Sequence, residues 1–181
     1  MRFSTIFAPL SLLGLAAAAA GRRTEKGIPY DTAVQIVNDF VSTLTAFDVN
    51  VATNLLAPSF VDFSDSINFL IGAPAGSPTF PSPQAYIAGQ GAQPPIGLDI
   101  LAIDAITSDG VIVFRWTAHV GLEVAPANGI SVLYATQSGP DPTVVGPGGY
   151  QLGRLYSEFN SAAWVLDIGG SVTLPPPPAS S

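Results

Sequence analysis

Gly110-Val111-Ile112-Val113-Phe114-Arg115-Trp116-Thr117-Ala118-His119-Val120-Gly121-Leu122-Glu123 is the stretch whose reading decides the fold. β-Branched and aromatic residues crowd it, and it is too long for an ordinary edge strand. It is therefore predicted to be a long central strand of an antiparallel sheet. Side chains alternate across a strand, which sets Ile112, Phe114, Trp116, Ala118, Val120 and Leu122 on one side and Val111, Val113, Arg115, Thr117 and His119 on the other. The first face is wholly apolar. The second carries the only histidine in the chain and one of its six basic residues.

From residue 98 onward the pattern is a β-meander. Residues 98–107 read as the preceding strand, joined through the hairpin signal Asp109-Gly110. Residues 125–129, with Asn128-Gly129, read as a turn into a strand over 130–137. A Gly- and Pro-rich loop over 138–149 leads to a last strand over 150–159, and residues 160–168 close the domain with Trp164 as an apolar plug. Upstream, Ala33, Ile36, Val37, Phe40 and Leu44 recur at helical spacing behind a cap at Asp31 or Thr32. A shorter helix is predicted over 48–56. Residues 59–64 form a strand with Phe60, Asp62 and Ser64 opposite Val61 and Phe63. Residues 72–83 are a loop by composition, placed to fold over a cavity mouth, and Ser82-Pro83 opens a short helix through Tyr86 and Ile87 that ends near Gly89. Helices followed by consecutive strands give an α+β order, with one curved, antiparallel (mixed) sheet folded over two to three N-terminal helices.

The ends read differently. Met1 and Arg2, the apolar residues 6–15 and the small residues 16–20 make a signal peptide over 1–20, which predicts a secreted, extracellular protein. A linker over 21–29, a domain over 30–170 and a Pro-rich tail over 171–181 follow. The chain has 181 residues and no cysteine, so burial alone has to hold the fold, and thiol catalysis and Cys-ligated metal are excluded. Of the 13 acidic residues all but Glu25 lie beyond Lys26, where Arg115 and Arg154 are the only basic residues. An acidic domain of this kind repels nucleic acid and anionic membrane surfaces, and neither is an expected partner.

The residues able to carry chemistry are few. His119 titrates near neutrality and suits a general acid/base, with Asp62 or Asp65 as the carboxylate that orients it; the alternative is an exposed or hydrogen-bonded strand histidine. Arg115 suits a bidentate grip on a carboxylate, or else Arg115 or Arg154 pairs with Glu158. Asp62 and Asp65 can divide acid and base roles between them, or Asp65 within Ser64-Asp65-Ser66 can serve a cap or turn. Thr117, Tyr86, Tyr134 and Glu158 complete the candidate ligand-binding set. Everything turns on which face of the 110–123 strand looks inward. No metal site and no cofactor are expected, because a single histidine with scattered acids lacks ligand spacing and no phosphate-binding or dinucleotide motif is present.

Ser64-Asp65-Ser66-Ile67-Asn68, Pro78-Thr79-Phe80-Pro81-Ser82 with Tyr86-Ile87, Phe114-Arg115-Trp116, and Tyr156-Ser157-Glu158-Phe159-Asn160-Ser161 followed by Trp164 and Asp167-Ile168-Gly169 resemble the secreted fungal proteins with an NTF2-like domain. The resemblance spans roughly residues 30–170. It implies a cone of helices against a bent sheet, a cavity at the wide end and a homodimer. Relatives of that fold include ketosteroid isomerase, scytalone dehydratase, polyketide cyclases and non-catalytic modules, so fold does not settle activity. Three readings follow: a secreted module that binds a small apolar molecule without catalysis; a cofactor-independent dehydratase, isomerase or cyclase using His119; and a module that acts through its surface on another protein.

Overall fold

The computed structural model describes residues 27–141 and 143–173. The predicted signal peptide, most of the 21–29 linker and the tail beyond residue 173 lie outside these residues. Within the stretch read as linker, Ile28 packs into the core with only 7% of its surface exposed.

The order of elements is α1 (Tyr30–Thr45), α2 (Val49–Leu55), β1 (Leu56–Phe63), α3 (Asp65–Ile71), α4 (Pro83–Ala92), β2 (Gly97–Ile106), β3 (Val111–His119), β4 (Ala127–Gln137), β5 (Tyr150–Phe159) and α5 (Ser161–Asp167). The five strands form a mixed sheet in the order β1-β5-β4-β3-β2. β2 to β5 are an antiparallel meander and β1 adds to β5 in parallel. The strand that organises the sequence is thus next to the edge strand β2, and β4 occupies the middle.

α1 starts at Tyr30 behind Pro29, with no side-chain cap from Asp31 or Thr32. Packing holds it instead. Ala33, Ile36, Val37 and Phe40 are buried on one stripe, and burial of each large apolar side chain contributes about 1.5–3 kcal/mol. Asp48 does cap α2, accepting from the amides of Asn50 and Val51. Pro58 lies within β1 at the point where its register with β5 shifts, between Leu56 and Val61, and an edge strand tolerates proline at such an irregularity because no ladder bond is asked of it there.

Asn128 and Gly129 lie inside β4 and not in a turn; Gly129 pairs with Trp116. The reason is steric. The Trp116 indole lies across Gly129, and a Cβ there would sit 2.3 Å from indole Cζ2, so the glycine makes room for a ring and does not supply a turn. The chain reverses earlier, around Gly121 and Glu123, both at positive φ. Gly121 is required there, since a Cβ would meet the Asp167 carbonyl oxygen at 2.2 Å.

The apolar face of β3 is the inner one. Ile112, Phe114, Trp116, Ala118 and Val120 join one core with the α1 stripe, and Phe114 meets Phe40 edge to face at 6.0 Å. Arg115, Thr117 and His119 consequently lie on the outer face of the sheet. No helix among the described residues is long and apolar enough to cross a membrane.

Candidate functional site

The inner face of the sheet does not fill completely at its wide end. A cavity of about 490 Å³ opens there, walled by Phe40 and Leu44 of α1, Ile67, Leu70 and Ile71 of α3, and Trp164 of α5. The sheet supplies Trp116, Leu155, Ser157 and Phe159, and Phe80 and Tyr86 close the side beneath α4. Such a wall is predominantly aromatic and aliphatic, the usual character of a small-molecule site.

Asp62 is the one acid in this wall. The alternation of β1 turns Phe60, Asp62 and Ser64 inward, and Asp62 is 2% exposed. Its backbone clamps the loop between α3 and α4, with its amide donating to the Phe80 carbonyl at 2.9 Å and its carbonyl accepting from the Thr79 amide at 2.9 Å. On its side chain, Oδ1 is buried without a hydrogen-bond partner among the described residues. Burial pushes the carboxyl up to about 7, with a smaller upward push from the charge of Glu158 and an opposing pull from the Phe63 amide. A carboxyl so placed exchanges a proton near neutral pH, or holds a polar group of a ligand, in surroundings that exclude water.

Tyr86 lines the cavity with its ring, and its hydroxyl is already committed. It lies 2.6 Å from Thr43 Oγ1, which spends its own proton on the Phe40 carbonyl at 2.7 Å. Tyr86 is therefore the donor of that pair and has no proton left for a ligand. Burial drives its phenol pKa far upward, the Thr43 contact opposing, so it stays neutral. Gln90 and Gln93 of the α4 end also reach the cavity.

The other residues singled out in the sequence are elsewhere. His119 sits on the outer face with Nε2 3.0 Å from Asp99 and Nδ1 3.4 Å from Glu123, so its orienting carboxylates are these and neither Asp62 nor Asp65. Asp99 first, then Glu123, raises its pKa. Arg115 grips Asp104 bidentately, at 2.7 and 3.0 Å, and not Glu158; this holds the Asp104 carboxyl below its usual range. Thr117 bonds Asn128 at 2.6 Å, and Tyr134 packs edge to face on Tyr156 at 5.9 Å, all on the same outer face.

Glu158 and Asp65 serve α3. The Glu158 carboxylate accepts from the amides of Asp65 at 2.8 Å and Ser66 at 2.9 Å, while Ser64 caps the helix by accepting from Ile67 at 3.0 Å. Asp65 accepts from the Gly76 amide at 2.6 Å. Of the candidate residues, then, the structure brings Asp62 and Tyr86 together at the cavity and leaves the rest outside it. Because Arg115 and His119 face away, Arg115→Ala and His119→Ala are expected to leave occupancy of the cavity unchanged, which a binding titration monitored by tryptophan fluorescence checks.

Sequence reasoning did not place Ser157, Gln90 or the aromatic pair Phe159 and Trp164, whose rings lie 4.9 Å apart, in the candidate site. The alternation of residues 150–159 holds the signal for two of them, since the phase that buries Leu155 also turns Ser157 and Phe159 inward.

Comparison with known proteins agrees with this architecture. A family model described as an NTF2-like domain matches residues 26–171. Among solved structures, the CaMKII hub of S. rosetta is similar at 8% identity and a TM-score of 0.56, over 74% of this chain and 98% of that one. A protein from Sphaerobacter thermophilus follows at 17% identity and 0.50, over 71% and 95%. AclR from Streptomyces galilaeus aligns at 14% identity and 0.50, over 81% and 91%. At such identities these likenesses speak for the fold alone. No curated protein matches the sequence. With helices packed on a bent mixed sheet, a cavity at the wide end and a family match over most of its length, the chain belongs to the NTF2-like domain family.

Proposed function

We propose that this protein binds a small, largely apolar molecule in the cavity at the wide end of the cone, with Asp62 as the polar contact. The observation that carries the reading is a buried carboxyl with an unpartnered oxygen in an otherwise apolar wall of about 490 Å³. An orphaned buried polar atom costs about 1–3 kcal/mol, and a ligand group that bonds it recovers that cost. Export directed by residues 1–20 belongs to this proposal. So does a homodimer through the outer sheet face, supported by the exposed Leu101, Ile130 and Tyr134 there.

The test is native mass spectrometry of the protein purified from its natural source. A discrete small-molecule adduct that is lost in Asp62→Ala is the expected result. A bare polypeptide mass, together with tryptophan fluorescence that no apolar probe perturbs, contradicts the proposal.

A second reading is favoured by the Asp62 carboxyl at about 7, the range in which a general acid/base works best at neutral pH. In that reading the bound molecule undergoes proton transfer at Asp62, in place of the His119 chemistry that the sequence offers as one of three alternatives. Turnover of the isolated adduct, lowered by about 10²-fold or more in Asp62→Asn, separates catalysis from simple binding.

A further inference from the structure

Three strands contribute to a chain of side-chain hydrogen bonds that ends in the cavity wall. Trp116 Nε1 of β3 donates to Ser131 Oγ of β4 at 2.9 Å, and Ser131 Oγ lies 2.9 Å from Ser157 Oγ of β5. Ser131 is wholly buried, and Ser157 lines the cavity. The direction of this chain is decidable. An indole nitrogen only donates, so Ser131 accepts from Trp116. If Ser157 then donated to Ser131, the Ser131 hydroxyl hydrogen would be buried without an acceptor among the described residues. That arrangement strands a hydrogen in the closed interior at the cost of its desolvation, whereas the opposite one leaves the free hydrogen on Ser157, where the cavity can supply water or a ligand oxygen to accept it. Ser131 therefore donates to Ser157, and the Ser157 proton is left over, at the cavity wall, with no acceptor among the described residues.

We infer that Ser157 is the cavity's directed hydrogen-bond donor, held in that role by Trp116 and Ser131, and that the ligand it selects is an apolar molecule bearing an acceptor oxygen such as a ketone or ester carbonyl. This rests on the cavity reading above and adds the chemistry the cavity asks for. Hydrogen bonds in series polarise one another, so the last hydroxyl in the chain is a better donor than an isolated serine. Tyr86 cannot compete for the same oxygen, because its proton is taken by Thr43. Trp116 and Ser131 are positioning residues; Ser157 is the one that touches the ligand.

The experiment compares two probes of one shape, fluorene and 9-fluorenone, which differ by a carbonyl at the position of a methylene. Both tryptophans of the chain, Trp116 and Trp164, line the cavity, so intrinsic fluorescence reports occupancy directly. On the full-length protein, 9-fluorenone is expected to bind about 5-fold more tightly than fluorene, the scale of one well-made hydrogen bond. Ser157→Ala is expected to bring that ratio to about 1 with fluorene affinity unchanged, the scale of the same lost bond. Ser131→Ala is expected to reduce the ratio without moving fluorene affinity, a selectivity readout that a purely structural effect would not produce. Equal binding of the two probes by the wild type, or a ratio that survives Ser157→Ala, overturns the inference and leaves the cavity reading standing. Failure of the wild type to bind either probe overturns both.

Discussion

At pH 8 the Asp62→Asn variant is expected to be more stable than the wild type by about 4 kcal/mol, and at pH 3 the two are expected to coincide. The sign follows from proton linkage. In the unfolded chain the Asp62 carboxyl titrates at its ordinary value of 3.8, and in the fold burial pushes it up to about 7. Between those two pH values the native state holds a proton that the unfolded state has released, so wild-type stability falls as pH rises through that window and levels off above it. Asparagine cannot ionise, and its stability lacks this loss. Other groups titrate identically in the two proteins, which means the difference between their urea-unfolding curves, measured from pH 3 to 8, isolates Asp62. A difference that is constant across the range, or a variant weaker at pH 8, would contradict the placement of this carboxyl in an apolar wall. Such a burden at neutral pH is the kind of stability cost that functional sites carry, in line with the proposed role of Asp62 in the cavity.

Tyr86→Ala is expected to destabilise the fold by about 3–5 kcal/mol, read from the urea midpoint at unchanged slope. Tyr86 is 1% exposed, and its ring meets Phe60 and Phe80 edge to face, each at 5.4 Å. Truncation removes both contacts and opens a void continuous with the cavity. Tyr86→Phe keeps the ring and loses only the bond to Thr43, so about 0.5–1.5 kcal/mol is expected. If the two substitutions cost the same, the ring does not pack as described. The alanine variant also enlarges the binding site, and a bulkier probe than the wild type accepts should then enter.

Much of the fold was legible because local signals agreed with tertiary packing. The alternation in β3, the helical stripe of α1, Ser82-Pro83 before α4 and the Asp109-Gly110 hairpin each state in sequence what the fold uses. α3 was not legible. It is short, it opens with Ser64-Asp65-Ser66, which reads equally as a turn, and Phe69 and Ile71 stay exposed, so no apolar stripe marks its buried side. Asn128-Gly129 misled for a related reason: the dipeptide is the standard hairpin signal, yet here its glycine answers to the size of Trp116, a residue distant in sequence.

The site divides along the same line. Asp62 was among the candidates as a partner for His119 or Asp65, a pairing the structure does not make; what carries it into the cavity wall is the alternation of β1, which buries it on the side of Phe60. His119 and Arg115 attracted notice because they are rare in this chain, but rarity says nothing about which face looks inward. That was settled by the bulk of Phe114 and Trp116 packing on α1 and the cavity wall. The Trp116-Ser131-Ser157 chain was beyond reach, since serines on separate strands announce nothing until register aligns them.

The most direct test of the account is a carbon-detected NMR titration of the aspartate carboxyls, with and without 9-fluorenone. One carboxyl, assigned to Asp62 by its disappearance in Asp62→Asn, is predicted to titrate near 7 and to shift when the probe fills the cavity. An Asp62 resonance that titrates near 3.8 and ignores the probe would place the carboxyl in water and contradict the cavity as the functional site.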